Sequence, residues 1–451
     1  MATRIIKTQV TGTSTQKFTL SAWVKKASNT ANNDQVIYES YADGNSRTTL
    51  YFRGNNGNRL NLFCFLSGST VCEIETTRKF RDVNSWYNIV LKVDTTQGTA
   101  SNRVKFYVNG VEETALTIST YPSQNAYLPM GTSSYQHAFG FYSGGGSSAF
   151  QGSMSHLHFI DGTAYDASYF GSTDANGVWT INTSPSVTYG NNGFFILKDG
   201  NSLTDQSGKG NNFTLSTGTL TKTEDSPSNV FATLNRLIQL TDATLSNGNN
   251  SCAYGSAGSR AVMLGTLGMS SGKYYMEFKI SASSTSPCNG SVGVINGSDN
   301  SNMGTYLNQD NSKYQGAGYQ LWDGNKNINQ TGSAYGATVT TGDIVGMAVD
   351  IDNKALYFHK NGAYQNSGSP TSGASKTGAI DFSSLTDNGF WFPLISDASG
   401  TQTMTYQCNF GNGLFGTTAV SSAGTNASGN GIFEYDVPTG YTALSTKGLN
   451  L

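Results

Sequence analysis

No window of a dozen residues in this chain shows the i, i+3, i+4, i+7 apolar stripe of a helix free of Gly and β-branched residues; what recurs is short, strict alternation. In FTLSAWVKK (18–26), Phe18, Leu20, Ala22 and Val24 fall on one face, and Thr19, Ser21, Trp23 and Lys25 on the other. Successive strand side chains point to opposite faces, so this is a strand with one buried side. QVIYESYAD, TTLYFRG, RLNLFCFLSG, SWYNIVLKVD, HAFGFYSG and GSMSHLHFIDG follow in the same manner. At 103–115, Val104, Phe106 and Val108 alternate up to Asn109-Gly110, a pair suited to the positive-φ positions of a tight hairpin turn. Many short strands punctuated by turns describe a sandwich or a barrel, so the expected fold is all-β.

Composition decides whether such strands have a core to build. The 53 glycines and only 12% charged residues would by themselves suit a disordered chain. The 23 Phe, 24 Tyr and 5 Trp recur within the alternating runs and supply the missing core. A net charge of -2 without a basic stripe argues against nucleic acid as a partner, because that binding neutralises many phosphates. MATRIIKTQV lacks the apolar run of a signal peptide, and no stretch is long enough to span a membrane. Synthesis in the cytoplasm without membrane insertion is therefore expected. The five cysteines fit no zinc spacing. Cys64 and Cys72 flank a turn in FCFLSGSTVC, where they either bridge across a hairpin or stay free core thiols.

The strand pattern also divides the chain. Residues 1–15 read as a strand or as an arm that docks on a neighbouring subunit. Residues 16–165 make a first sandwich. Residues 166–229 carry the breaker clusters DQSGKGNN and TEDSPSN and read as an extended connector. It is expected to pack on one or both domains, since Phe194, Phe195, Ile196 and Leu197 would not stay in water. Residues 230–415 make a second sandwich: GKYYMEFKIS (272–281) sets Tyr274, Met276, Phe278 and Ile280 on one face. DIVGMAVDIDNKALYFHKNGAY (343–364) reads as strand, turn at Asp352-Asn353, strand, turn at Asn361-Gly362. Residues 416–451 read as a polar extension on the surface. The halves do not repeat each other, so two different antiparallel β-sandwiches in series are expected.

FTLSAWVKK, WYNIVLKVD, VKFYVNG and HFIDGTAYDASYFG make residues 16–165 similar to the concanavalin A-like, laminin G-type sandwiches, a jelly-roll, lectin-like fold. SGKYYMEFKI, SVGVI, GDIVGMAVDIDNKALYFHKNG and FWFPLIS make residues 230–415 resemble a SPRY domain. That resemblance implies protein binding through loops and no catalytic chemistry. The order of the two, with DSPSNVFATLN (225–235) between them, resembles virion proteins of marine tailed bacteriophages. That family carries an NPL-like sequence where this chain has Asn235-Arg236-Leu237.

Glycoside hydrolysis needs two carboxylates at a fixed separation. In the concanavalin A-like hydrolases they alternate on one strand, and CEIETT offers Glu73 and Glu75 there, but Thr77 stands where the third acid would be. They are expected to be ordinary acids beside a hairpin, and the chain not to be an enzyme. His156 and His158 share a strand face without a third zinc ligand, which fits structural histidines. No cofactor is expected. Calcium, which needs six to eight oxygen ligands, would draw on scattered acids such as Asp34, Asp94 and Asp161 or on Asp350 and Asp352 of the DIDN turn. Asp43, Asn45, Arg47, Tyr135 and His137, in or beside loops, are the contact candidates of the first domain. Tyr314, Tyr319, Trp322 and Asp323 are those of the second, with Trp322 alternatively a core residue.

The resemblance implies a non-enzymatic protein of the virion surface, at the tail rather than the head, attaching to a host glycan or protein through sandwich loops. A head decoration or tail adaptor that touches only other virion proteins is the alternative, and a glycan-degrading enzyme a further one. Either virion role implies other virion proteins as partners and a homo-oligomer, with a trimer the symmetry expected of a fibre.

Overall fold

The computed structural model describes the chain except residues 1–2, 30–32, 144–147, 199, 239–242, 257–261, 297–314, 330, 388 and 451. Two compact units succeed one another along the sequence, Met1–Lys222 and Thr223–Leu451. Both are antiparallel β-sandwiches, different in topology.

The strands of the first unit are β1 (Arg4–Thr8), β2 (Lys17–Lys26), β3 (Gln35–Asp43), β4 (Ser46–Arg53), β5 (Arg59–Leu66), β6 (Ser69–Lys79), β7 (Tyr87–Asp94) and β8 (Val104–Val108). After them come β9 (Val111–Glu112), β10 (Leu116–Thr120), β11 (Gln136–Phe139), β12 (Gly152–Asp161), β13 (Gly171–Thr173), β14 (Trp179–Ile181), β15 (Phe194–Ile196) and β16 (Thr214–Thr217). A front sheet runs β10-β6-β5-β4-β3-β11-β1-β16, and a back sheet runs β15-β12-β2-β7-β8-β9. The alternation read in β2 holds: Phe18, Leu20, Ala22 and Val24 are buried between the sheets, against Leu50 and Phe52 of β4 and Leu60 and Leu62 of β5. Asn109 and Gly110 have φ of 47° and 80°, both left-handed, as a two-residue hairpin turn requires.

At two places in this unit the structure resolves or corrects the sequence reading. Residues 4–8 form a strand of this unit, paired with β11 and β16, rather than an arm reaching a neighbour. Of the segment read as a packed connector (166–229), residues 166–222 belong to the first unit and 223–229 to the second. Phe194–Ile196 pair with Leu157, His158 and Phe159 of β12, so the apolar run is buried as an edge strand. The β13–β14 hairpin lays Trp179 on the outer face of the back sheet, with its indole N–H donated to Asn88 Oδ1 at 3.1 Å. A Cβ on Gly110 would stand 2.4 Å from that indole, so this glycine serves both the turn and the close approach. The back sheet is thereby closed on its outside by Phe170, Tyr189, Phe195 and their neighbours.

In the second unit a nine-stranded sheet packs on a six-stranded one. Met276, Phe278 and Ile280 of Lys273–Ser283, Val345, Met347 and Val349 of Ile344–Asp350, and Trp391 and Ile395 of Trp391–Asp397 fill the space between them. Asn361 and Gly362, with φ of 49° and 86°, make the predicted turn. The opposite positions, Tyr275, Ala348 and Tyr357, face away from this core and are covered by Phe433, Val437, Tyr441 and Ala443. Residues 416–451 are thus not a surface extension. Their aromatic side chains close the outer face of the nine-stranded sheet, and Thr442–Ala443 add to it in parallel beside Tyr274 and Tyr275.

DSPSNVFATLN has a structural role here. Asn229 donates its amide to Asn430 Oδ1 at 2.8 Å, while the backbone N–H groups of Thr446 and Ala232 are donated to the carbonyls of Val230 and Leu444. The motif ties the beginning of the unit to its end.

Candidate functional site

The back sheet of the first unit is plastered over, whereas the outer face of the front sheet carries large polar and aromatic side chains. Core residues of β4 and β5 are Leu50, Phe52, Leu60 and Leu62, so alternation sends Thr49, Tyr51 and Arg53, and Arg59, Asn61, Phe63 and Phe65, outward. Register makes cross-strand rows of them. Glu39, Thr49, Phe63 and Glu73 form one row across β3, β4, β5 and β6. Val36, Tyr51, Asn61 and Glu75 form the next, and Tyr41, Arg47 and Phe65 another.

Charges on this face are matched locally. Arg53 reaches Glu75 at 2.8 Å and Glu73 at 3.2 Å, and Arg59 reaches Glu75 at 3.3 Å. Asn56 and Asn61 also donate to these carboxylates. Burial would raise the pKa of Glu75, but hydrogen bonds from Arg53, Asn56 and Arg59 outweigh it and hold the group below the usual carboxylate range. The two acids do share a sheet face, as their spacing requires. Two guanidiniums engage them, so neither is poised to protonate a leaving group.

Arg47 is held differently. Its guanidinium lies 5.5 Å from the ring centre of Phe63, 5.2 Å from Phe65 and 5.6 Å from Tyr142, and one N–H is donated to the Gly44 carbonyl. Tyr142 meets Tyr41 edge-on at 6.5 Å. Beside them Glu39 is buried, and that burial raises it above the usual range against two bonds from Ser143 and the charges of Arg4 and Arg47.

The structure scatters the residues predicted from sequence. Asp43 and Asn45 form the exposed β3–β4 turn, with Asn45 N–H donated to Asp43 at 2.7 Å. Arg47 alone joins the aromatic face, and Tyr135 lies half-buried just before β11. His137 is no contact residue: it is fully buried, 2.8 Å from the Tyr38 hydroxyl and packed on Phe159 and Phe194, and burial keeps it neutral. It stands within β11 at an inward position, not at the loop beside that strand.

In the second unit Tyr319 is likewise a core residue, its hydroxyl donated to the Ala337 carbonyl. Trp322 is half-buried against Val262, Leu264, Ile295 and Leu394, and the neighbouring Asp323 is exposed and caps its own turn through Asn325. Tyr314 lies outside the described residues.

The acids considered for calcium do not converge. Asp161 accepts the backbone N–H groups of Thr13, Ser14 and Asn192, Asp34 that of Gly54, and Asp94 is bound by Thr96 and Gln97. Asp350 pairs with Lys273 at 3.1 Å and caps the turn at Asn353, while Asp352 accepts the Gly272 N–H. A bulge separates Ser155 from His158, and the two histidines have separate partners: Ser155 for His156 and Tyr189 for His158. Among the described residues, no three His, Cys, Asp or Glu side chains are grouped to hold a metal ion. Cys64 and Cys72 are opposed across β5 and β6 and are free thiols in the core.

The face itself was legible only in part. Its signal is that TTLYFRG and RLNLFCFLSG place Tyr51, Arg53, Arg59, Asn61, Phe63 and Phe65 at outward positions, where a solvated sheet carries short polar side chains.

Family comparison matches each of the two sandwiches separately. Residues 3–168 match the model of the Concanavalin A-like lectin/glucanases superfamily, and residues 273–412 match that of the SPRY domain. The chain carries a concanavalin A-like domain followed by a SPRY domain. Among solved structures, the SPRY domain of human HERC1 is 17% identical, covering 37% of this chain and 91% of its own, with a TM-score of 0.29. A heptameric SAP-like pentraxin from Limulus polyphemus is 17% identical, covering 36% of this chain and 71% of its own, with a TM-score of 0.27. No curated protein matches the sequence. No helix among the described residues is long and apolar enough to cross a membrane.

Proposed function

We propose that this chain is an attachment protein on the exterior of a bacteriophage virion, associated with the tail, and that the outer face of the front sheet is its binding surface. The observation that carries the binding role is Arg47, held over Phe63, Phe65 and Tyr142 on a sheet face otherwise lined by Tyr51, Arg53 and Arg59. Arginine and aromatic side chains are enriched among the residues that dominate recognition surfaces. The virion assignment is supported by the succession of the two domains and by DSPSNVFATLN between them. Repetition by virion symmetry makes the chain a homo-oligomer, with a trimer expected for a fibre.

Electron cryomicroscopy of the particle tests this reading. The expected result places the chain on the tail with the β3–β6 face turned outward. Burial of that face between virion components would make the chain a decoration or an adaptor instead, and absence of the chain from the particle would remove the virion role.

A further inference from the structure

Cys64 of β5 and Cys72 of β6 stand directly opposite each other across the antiparallel pair, next to the opposed Leu62 and Ile74. Both side chains point into the core and are 0% exposed. Directly opposed Cα atoms in such a pair lie about 4.5–5.5 Å apart, inside the roughly 4.4–6.8 Å that a disulfide spans. The register shifts between Cys64 and Phe65, and a bulge of this kind adds twist at that step. The two thiols already interact: a hydrogen bond with Cys64, and after it burial, push the Cys72 thiol well above its usual range.

The other three cysteines do not share this relation. Cys252 faces Leu245 and Tyr406, and Cys408 faces Phe278. Cys252 and Cys408 are therefore diagonal neighbours, about 7–8 Å apart, too far for a bond without backbone movement. Cys288 precedes the strand Gly290–Asn296 and donates its backbone N–H to the Val339 carbonyl. The reverse side of β5 gives the Cys64–Cys72 pair a consequence. Phe63 and Phe65 flank Cys64 and point outward, their rings stacked at 5.7 Å beside the Arg47 guanidinium. The hairpin then turns at Ser67-Gly68, both in the left-handed region, and residues 67–70 are exposed. A bond between residues 64 and 72 would clamp the hairpin just below that tip.

We propose that Cys64 and Cys72 form a redox-closed staple, a dithiol in a reducing compartment and a disulfide outside it, which fixes the β5–β6 hairpin beneath Phe63 and Phe65. The oxidant is a low-molecular-weight disulfide of the glutathione type. One thiolate of the pair attacks its S–S bond and releases one glutathione. The second thiolate attacks the protein sulfur of the mixed disulfide and releases the other. Two electrons pass from the cysteine pair to glutathione, and the two thiol protons end on the two reduced glutathione molecules. Both sulfurs are buried, so exchange proceeds while the exposed tip is open or while the chain folds, and the closed bond is then shielded from reductant. The pairing does not depend on what the front face binds. The change of compartment does rest on the proposed function, since a chain made in the cytoplasm and carried on a virion passes from reducing to oxidising surroundings.

The test uses the full chain, purified under reductant and equilibrated with mixtures of reduced and oxidised glutathione of increasing oxidising strength. Alkylation in denaturant and peptide mass mapping then count the surviving thiols. Two of the five thiols should disappear together, with the intact mass lower by two hydrogen atoms. A cross-linked peptide joining residues 64 and 72 should appear, and dithiothreitol should restore both thiols. Thermolysin should cut within residues 65–71 several-fold more slowly in the oxidised chain than in the reduced one. The double variant Cys64→Ala, Cys72→Ala should keep its remaining thiols at every mixture; if it does not fold, the map of the parent chain decides. Five surviving thiols throughout, glutathione adducts without closure, or a bridge to Cys252, Cys288 or Cys408 overturns the inference. So does equal cleavage of the oxidised and reduced hairpins. Any of these results leaves an outward position on the tail standing, whereas absence of the chain from the particle removes the virion reading and leaves the thiol chemistry standing.

Discussion

Glu277 and His359 are joined through one oxygen: the Tyr275 hydroxyl lies 3.0 Å from Glu277 Oε1 and 2.6 Å from His359 Nε2. Gly362 N–H is donated to His359 Nδ1 at 3.1 Å, which puts the imidazole proton on Nε2. The protons therefore run from His359 to Tyr275 to Glu277. The carboxylate also accepts the backbone N–H groups of Glu434 and Tyr435, both at 2.9 Å, and the Asn409 amide at 3.3 Å. A buried acid thus holds the C-terminal segment against the sheet.

The two ends of this chain give opposite pH dependences. Burial pushes Glu277 from 4.5 up to about 7 despite the four donors, so its contribution to stability is full below 4.5 and is lost as pH rises to about 7. Burial lowers His359 from 6.5 to about 4, so its contribution is full above 6.5 and is lost as pH falls to about 4. Between 4.5 and 6.5 the slopes oppose each other. Glu277→Gln should leave a second unit that gains stability with rising pH in that window, and His359→Gln one that loses it. Denaturant unfolding of each variant across pH checks this; variants that both keep the parent profile would refute it.

Gly346 lies between these residues in register, and a Cβ there would stand 1.9 Å from His359 Nε2. Gly346→Ala should displace the imidazole from Tyr275 and destabilise the second unit by about 1–3 kcal/mol, the range of overpacking. The denaturation midpoint reads this directly.

Asn430 donates to Thr442 at 2.8 Å and Ser445 at 3.1 Å and accepts from Asn229. Asn430→Ala strands these buried groups, at a cost of about 2–3 kcal/mol. Limited proteolysis should then cut first within residues 416–451, which the parent protein protects.

Glu75 is the shared counter-charge of Arg53 and Arg59. Glu75→Gln should destabilise the first unit by about 3 kcal/mol, as removal of one member of a buried pair does. Its lowered pKa means that in the parent this contribution is present above 4.5 and fades as pH falls through the folded value. A variant as stable as the parent at neutral pH would show the network to be of no consequence.

Much of the architecture followed from the residues because strand alternation and turn chemistry are local. The inward face of β2, the Asn109-Gly110 and Asn361-Gly362 turns, and the succession of two unlike sandwiches are all decided within a few residues of one another along the chain. The polar content of 166–222 and 416–451 misled for the same reason. A few aromatics in a Gly- and Ser-rich segment do not announce which sheet they will cover, and Phe195 and Tyr441 acquire partners far away in sequence.

His137 shows the limit most plainly. It reads as the first residue of a strand, at the edge of the loop that holds Tyr135, yet β11 turns it inward onto Phe159 and Phe194, where water is excluded and the ring stays neutral. Thr49 and Glu39 show the converse, since only strand register sets them in one row with Phe63. By itself the sequence determined the strands, their buried faces and the turns that reverse them, because those depend on neighbours in the chain. The tertiary structure alone decided which outer faces are covered and which residues stand opposite one another, because strand register brings together residues that no local pattern relates.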